Sequence, residues 1–254
     1  MATSDGARPR SRATAGSSRR SRLAQEAPDR APLSRDVVVE AGIAFVDDRG
    51  LPELTMRALG QHLHVEAMSL YRYVNGREDL LDAMVDHLVG RLHLDPAEAL
   101  QPADGWQGYL QWLAHAVRDL AHEHPHVFPL IATRHPAAPW LRPPLRSLEI
   151  VEDFLTALTS RGFTEPSAAA AYRAFSSFLL GHLLLEVASR GASTVPAEEV
   201  LDEGGAEVPS NDADVDAFPL TRRLRPLLAE DRDDEEFELA LEHLLNRLEQ
   251  VVAH

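Results

Sequence analysis

The stretch from Leu54 to Val74, "LTMRALGQHLHVEAMSLYRYV", constrains this chain more than any other. Leu59 and Leu63 share one face of a short helix. With Leu70 at the centre of the buried face of a second helix, Val74 falls beside it at about 100° per residue, while Met68 and Arg72 point the opposite way. Ser69 and Tyr71 then lie on the flanks and Tyr73 nearer the core. Two short helices fastened across each other through a turn at His64–Glu66 have the geometry of a helix-turn-helix. In that motif the second helix is supported from behind and offers its outer face to the DNA major groove. An ordinary helical hairpin has the same spacing, so periodicity alone leaves both open.

The flanking sequence is helical throughout. Ser34 is placed to cap a helix with Asp36 in its first turn, Val38, Ala41, Phe45 and Val46 recur at helical spacing, and Gly50 supplies the left-handed stop. Thr55 caps the helix from Met56 to about Leu63. "REDLLDAMVDHLVGRL" begins with acidic residues and carries Leu80, Leu81, Met84, Leu88 and Leu92 on one broad apolar face. Helical periods continue at 106–121, 144–161, 167–190 and 232–253, and no alternating strand pattern competes. The fold class is all-α. Residues 1–32, rich in Ser, Arg, Ala and Pro, are expected to be a disordered arm, and the Gly/Pro-punctuated acidic segment 191–219 a mobile loop.

Charge bears on the DNA reading. The net charge is −15, which opposes a nucleic-acid binder taken whole. Residues 1–32, however, hold seven Arg against three acidic residues, a local +4, so the other 222 residues carry −19. Residues 33–93 are themselves at −4, with the acids mostly away from the outward face of the second helix. Binding to a polyanion therefore rests on local contacts and should be salt-sensitive. The Arg-rich arm is either a plain tail or a source of added nonspecific or minor-groove contacts. There is no cysteine, hence no disulfide and no thiolate metal site. No run of eighteen apolar residues and no signal-peptide core occurs, and a cytoplasmic protein without a membrane partner is expected.

"LTMRALGQHLHVEAMSLYRYVNGREDLLDAM" resembles the DNA-binding domain of the tetracycline-repressor (TetR/AcrR) family. Thr55, Arg57, Leu59, Leu63, Val65, Leu70, Tyr71, Tyr73, Val74, Leu80 and Leu81 fall in register with the family pattern over residues 34 to about 93. His64 replaces the usual Gly at the turn, where a left-handed conformation is expected. The resemblance implies an N-terminal three-helix DNA-binding domain at 33–80 and a larger ligand-binding and dimerisation domain at 81–254. Thr55 and Arg57 would meet phosphate and a base edge, and Ala67, Met68 and Ser69 would sit at the entering end of the recognition helix. Tyr71 would bond a phosphate, Tyr73 would lie against backbone or base, and Arg77 would grip a phosphate. Independently, the outward angle of Arg72 makes it a reader of guanine, a neutraliser of phosphate or a solvated surface Arg. Met68 offers a contact to a thymine methyl or a small apolar surface patch.

The remaining residues imply regulation. "SAAAAYRAFSSFLLGHLLLEVASR" is apolar nearly all round and should be buried on two sides. In the last helix Phe237, Leu241, Leu244, Leu248 and Val251 form a narrow seam, for packing within the chain or, as the resemblance favours, for a homodimeric four-helix bundle. Its two-fold axis would set the recognition helices about 34–36 Å apart on a palindromic operator. Candidate ligand contacts are His93, Trp112, Leu113, Val117, Phe128, Phe154, Phe175, Phe178, Leu179 and His182, with plain core the first reading of each and ligand contact the alternative. "DGWQGYL", "ATRHP" and "RGF" resemble the tetracycline-repressor subclass, with His93 at the place of a drug-contacting His. Leu130 stands at that of the magnesium-binding His, and Glu186 does not align with the supporting Glu, so an effector other than magnesium-tetracycline is expected. In "AHEHPHVFP", Pro125 interrupts the face that His122 and His126 would share, and exposed loop histidines are expected rather than a metal site. No catalytic motif or cofactor motif is present. The reading is a ligand-responsive repressor of a double-stranded DNA operator. The alternatives are an all-α carrier or enzyme on the same scaffold, and a protein-interaction module using the C-terminal seam.

Overall fold

Ser34 opens the first helix as its sequence position requires: its Oγ accepts from the Val37 amide at 3.2 Å, a cap contributing about 1 kcal/mol. The computed structural model describes residues 32–92, 105–134, 138, 140–143, 147–192 and 218–252. The N-terminal arm, most of the 191–219 segment and His93 lie outside the described residues. Every regular element among those described is helical.

Helix α1 (Arg35–Arg49) ends at Gly50, whose φ of 84° lets its amide donate to the Val46 carbonyl at 2.7 Å. A single 3-10 turn (Leu51–Glu53) leads to α2 (Met56–His62), capped by Thr55 Oγ1 on the Ala58 amide at 3.0 Å. The turn to α3 (Ala67–Leu70) passes through His64, with φ 55°, the expected left-handed residue. Its strain, on the order of 1 kcal/mol, is held by the surrounding packing. Gly60 makes that packing possible: a Cβ there would lie 3.0 Å from the Val65 carbonyl and 3.1 Å from the Ala67 amide. Helix α4 (Arg77–Gly90) packs on α1 behind this unit, and Leu59, Leu70, Val74, Leu80 and Leu81 form the shared core.

The recognition helix is shorter than its spacing suggests. After Leu70 the chain tightens, the Tyr73 amide donating to the Leu70 carbonyl, so Tyr71, Arg72 and Tyr73 occupy a turn rather than a continuing helix.

The larger part comprises α5 (Gly105–Glu123), α6 (Phe128–Thr133), α7 (Leu148–Thr159), α8 (Glu165–Ser189), α9 (Pro219–Leu228) and α10 (Asp233–Val252). Helix α8 is the hub, contacting α5, α6, α7 and α10. It is long and apolar enough to cross a membrane by length and composition alone; one side packs on these neighbours, while Leu185 on its outer side stays exposed. Helix α7 begins at Leu148, four residues later than its periodicity predicts, capped by Ser147 after a proline-rich approach. Helices α6 and α9 were not legible as helices. Both are short and carry a proline in their first turn.

Candidate nucleic-acid interface and cavity

The outward face of α2–α3 is as the angular reading placed it. Met68 is 73% exposed, Tyr71 46%, while Leu70 and Val74 are sealed behind them. Arg57 and Arg72 are exposed, and neither has an ion-pair partner among the described residues. Thr55 is exposed; its oxygen is committed to the cap, but a hydroxyl that accepts there keeps its proton to donate. Ala67, Ser69 and Tyr73 are half-buried. Two free guanidinium groups, two exposed hydroxyls and a thioether thus share one surface, a set able to meet phosphates and base edges.

Arg77, expected to grip a phosphate, is already engaged within the fold. Its Nε donates to the Leu54 carbonyl at 2.9 Å and its Nη2 to the Leu51 carbonyl at 3.3 Å, with Nη1 3.4 Å from Glu78. The guanidinium ties the start of α4 to the turn before α2, and gripping a phosphate would cost those bonds. A second tie is Arg35, which donates to the Tyr73 carbonyl at 2.7 Å and pairs with Asp79 at 3.1 Å. Asp79 also accepts from the Asn75 amide at 2.7 Å, reaching back over the helix start like a capping box. The bonds from Arg35 and Asn75 hold the Asp79 carboxyl below its usual range. Arg35 and Asp79 were not singled out in the sequence, since no local spacing links residues so far apart.

Behind this head lies an apolar cavity between α4, α5, α6, α7 and α8. Of the candidate contacts, Leu113, Val117, Phe154, Phe175 and Leu179 line it, joined by Val89 and Leu92 from the end of α4, Ile131, Ile150, Leu180, Tyr172 and Ser176. Four do not. Phe128 is sealed in the core, and Trp112 stands beside Tyr109. Phe178 and His182 turn to α10, with ring centroids 6.3 and 5.5 Å from Phe237. Burial pushes the Tyr109 phenol up, so it stays a neutral core group.

The last helix also differs from its expected seam. Phe237, Leu241 and Leu248 are buried within the protomer, and Leu245, not Leu244, completes the stripe. Leu244 is only half-buried, and the side chain of Val251 lies outside the described residues. The stripe follows the 3.6-residue period against α8 rather than a heptad seam. Phe237 anchors it, with the Arg118 guanidinium 4.6 Å above its ring.

His122, in the last turn of α5, and His124 and His126, in the connection to α6, are half-buried rather than exposed. His122 Nε2 lies 2.7 Å from Glu186, and His124 Nδ1 2.7 Å from Asp47 of α1. Glu186 is sealed among Arg118, His122 and Arg190 in a buried ion cluster. His124–Asp47, together with Arg134 on Asp82 at 2.7 Å and Glu78 at 3.0 Å, connects the α5–α6 corner to α1 and α4. Among the described residues, no group of three or more potential ligands is arranged to hold a metal ion.

A family model of the tetracyclin repressor-like C-terminal domain matches residues 96–252. The HTH-type transcriptional repressor DrrR1 of Streptomyces coeruleorubidus is 33% identical over 161 residues, 61% of this chain and 55% of that protein. The match thus spans little more than half of that relative. Tetracycline repressor protein class D of Escherichia coli is 28% identical over 223 residues, covering 86% of this chain and 90% of that one. Among solved structures, a possible TetR family transcriptional regulator from Streptomyces coelicolor A3(2) superimposes with a TM-score of 0.66 at 28% identity, over 86% of this chain and all of that one. The Streptomyces coelicolor TetR family protein ActR in complex with actinorhodin shares the fold, with a TM-score of 0.63 at 24% identity over 88% of this chain and all of that one. With residues 96–252 matched by the family model and 86% of its length superimposed on such a regulator, the chain belongs to the tetracycline-repressor family.

Proposed function

We propose that the protein is a ligand-responsive, sequence-specific DNA-binding repressor, released from a palindromic operator when a small molecule fills the cavity. One observation carries this reading: the exposed, unpaired Arg57 and Arg72 beside Met68 and Tyr71, on a segment whose inner side is fully packed. A carrier or enzyme would use the cavity equally well but has no use for that surface. Met68, Arg72 and Arg57 read bases or neutralise phosphate; Thr55 and Tyr71 donate to phosphate; Ala67, Ser69 and Tyr73 shape the entering edge.

Helix α4 is the shared part. Its first residue ties to the helix-turn-helix through Leu51 and Leu54, while Val89 and Leu92 at its other end face the cavity. An effector that fits the cavity better when α4 is displaced shifts the reading heads, and about 1–3 kcal/mol of differential binding is typical coupling. A homodimer supplies the second head. With the inner stripe of α10 already used, its interface is formed by the outer sides of α8 and α10, where Leu185 is 75% exposed and Leu239 is exposed.

The test is fluorescence-anisotropy titration against DNA flanking the protein's own gene, with scrambled competitor and at two salt concentrations. Tight binding that survives competitor and weakens with salt supports the repressor. Absence of preference on every flanking segment favours the carrier or enzyme.

A further inference from the structure

The chain contains no cysteine, so the thiolate that a peroxide attacks most readily is absent, and the oxidisable sulfurs are those of four methionines. Two of them are shut away. Met84 of α4 is fully buried, packed so closely on Gly42 of α1 that a Cβ there would lie 3.1 Å from its sulfur, and Met56 at the start of α2 is 9% exposed. Met1 lies outside the described residues. Met68, on the outer face of α3, is 73% exposed. Among the described residues, the one thioether open to solvent therefore stands on the surface that carries Arg57, Arg72, Thr55 and Tyr71.

We infer that Met68 is an oxidation site, and that conversion of its thioether to the sulfoxide by a peroxide releases the protein from its operator. This adds a regulation to the proposed DNA-reading surface and rests on that reading. The Met68 sulfur lone pair attacks one oxygen of hydrogen peroxide, and an S–O bond forms as the O–O bond breaks. The hydroxysulfonium proton passes to the displaced hydroxide, so the products are sulfoxide and water; sulfur loses two electrons and the peroxide gains them. The sulfoxide is polar and only accepts hydrogen bonds. It no longer offers an apolar contact to a thymine methyl, and its oxygen faces phosphates and guanine edges that are themselves acceptors. It also competes with the DNA for the guanidinium protons of Arg57 and Arg72 on the same surface. Leu70 and Val74, which hold the segment in place, are sealed beneath, so the change is confined to the outer face.

The experiment uses the full chain, hydrogen peroxide quenched with catalase, peptide mapping by mass spectrometry, and anisotropy on the flanking DNA that is preferred over scrambled competitor. Met68 should convert about tenfold faster than Met56 or Met84, with the helical circular-dichroism signal retained, and bound DNA should slow its conversion. Oxidation of Met68 should weaken DNA binding about tenfold, the worth of one lost base contact. Reduction by methionine sulfoxide reductases A and B together should restore the binding. Met68→Leu should give a ratio of treated to untreated affinity of about one, whatever its starting affinity; it keeps Met1, which separates the two sites. Equal conversion of the three methionines, affinity unchanged once Met68 is converted, lost binding that the reductases do not restore, or Met68→Leu losing binding on treatment as the wild type does overturns the inference. DNA binding indifferent to Met68 oxidation refutes the switch and leaves the repressor standing. Absence of DNA preference before any oxidation refutes the repressor and the switch with it, while the peptide map still decides the oxidation site.

Discussion

Replacing Glu186 with glutamine tests how the junction of α5, α8 and α10 is held together. The carboxylate is 2% exposed and accepts from Arg118 at 3.2 and 2.8 Å and from Arg190 at 3.1 Å, with His122 Nε2 at 2.7 Å. Burial alone would raise its pKa, but the bonds and charges of Arg118 and His122 outweigh burial and hold it below the usual carboxylate range. Removing one partner of a buried ion pair costs about 3–5 kcal/mol, because the other charge stays buried. Arg118 keeps Asp234 at 2.6 Å, an exposed carboxylate, so the lower end applies, about 3 kcal/mol. For a chain of this size each kcal/mol shifts the melting point by about 2–4 °C, giving a fall of about 6–12 °C. Circular dichroism at 222 nm measures it, at one fixed protein concentration because a dimer's melting point depends on concentration. The folded pKa lies below the unfolded value near 4.5, so the stabilisation is complete above that pH and is lost as pH falls through the folded value. The difference between wild type and Glu186→Gln must therefore shrink in acid. A variant melting within about 2 °C of wild type at neutral pH, or a difference that persists undiminished in acid, refutes the reasoning.

The other expected outcomes concern the reading head and the interface. Tyr71→Ala should weaken operator binding about tenfold, the worth of one hydrogen bond to a charged phosphate, with the helical signal unchanged; undiminished affinity in anisotropy removes Tyr71 from the contact set. Gly60→Val places a branched side chain where a Cβ already meets backbone at 3.0 Å. It should cost about 1–3 kcal/mol by urea unfolding, and a neutral result would mean that α2 and α3 are less tightly apposed. Leu185→Glu introduces a charge on the outer side of α8 and should give monomers by sedimentation at low micromolar concentration, whereas persistent dimers would move the interface elsewhere.

What was legible in the sequence follows from the range of the forces involved. Caps act over three residues, so Ser34 and Thr55 could be read directly, as could the left-handed His64 in a turn that ordinarily has Gly. The sealing of Leu59, Leu70 and Val74 is likewise a matter of angle on one helix. The ties of Arg77 could not be read because its partners, Leu51 and Leu54, are backbone carbonyls more than twenty residues away, and a carbonyl leaves no mark in sequence. The bond that Tyr172 donates to the Pro143 carbonyl escaped for the same reason.

The last helix shows how a one-residue ambiguity changes a functional conclusion. Over Phe237 to Leu248 a heptad stripe and a straight-helix stripe differ by a single choice, Leu244 or Leu245, and both are leucine. A heptad seam requires a partner helix that supercoils with it; the straight stripe requires only the local face of α8. Leu245 is buried and Leu244 is not, and Phe237 lies under Arg118 and beside Phe178, so α10 is matched to its own protomer. The inner stripe is therefore a folding element, and its disruption would report on stability before it reported on assembly. The proposed homodimer interface draws instead on outer residues such as Leu185 and Leu239. For that reason the interface is probed at Leu185, where a charge meets solvent in the monomer and can oppose association without first unfolding the chain.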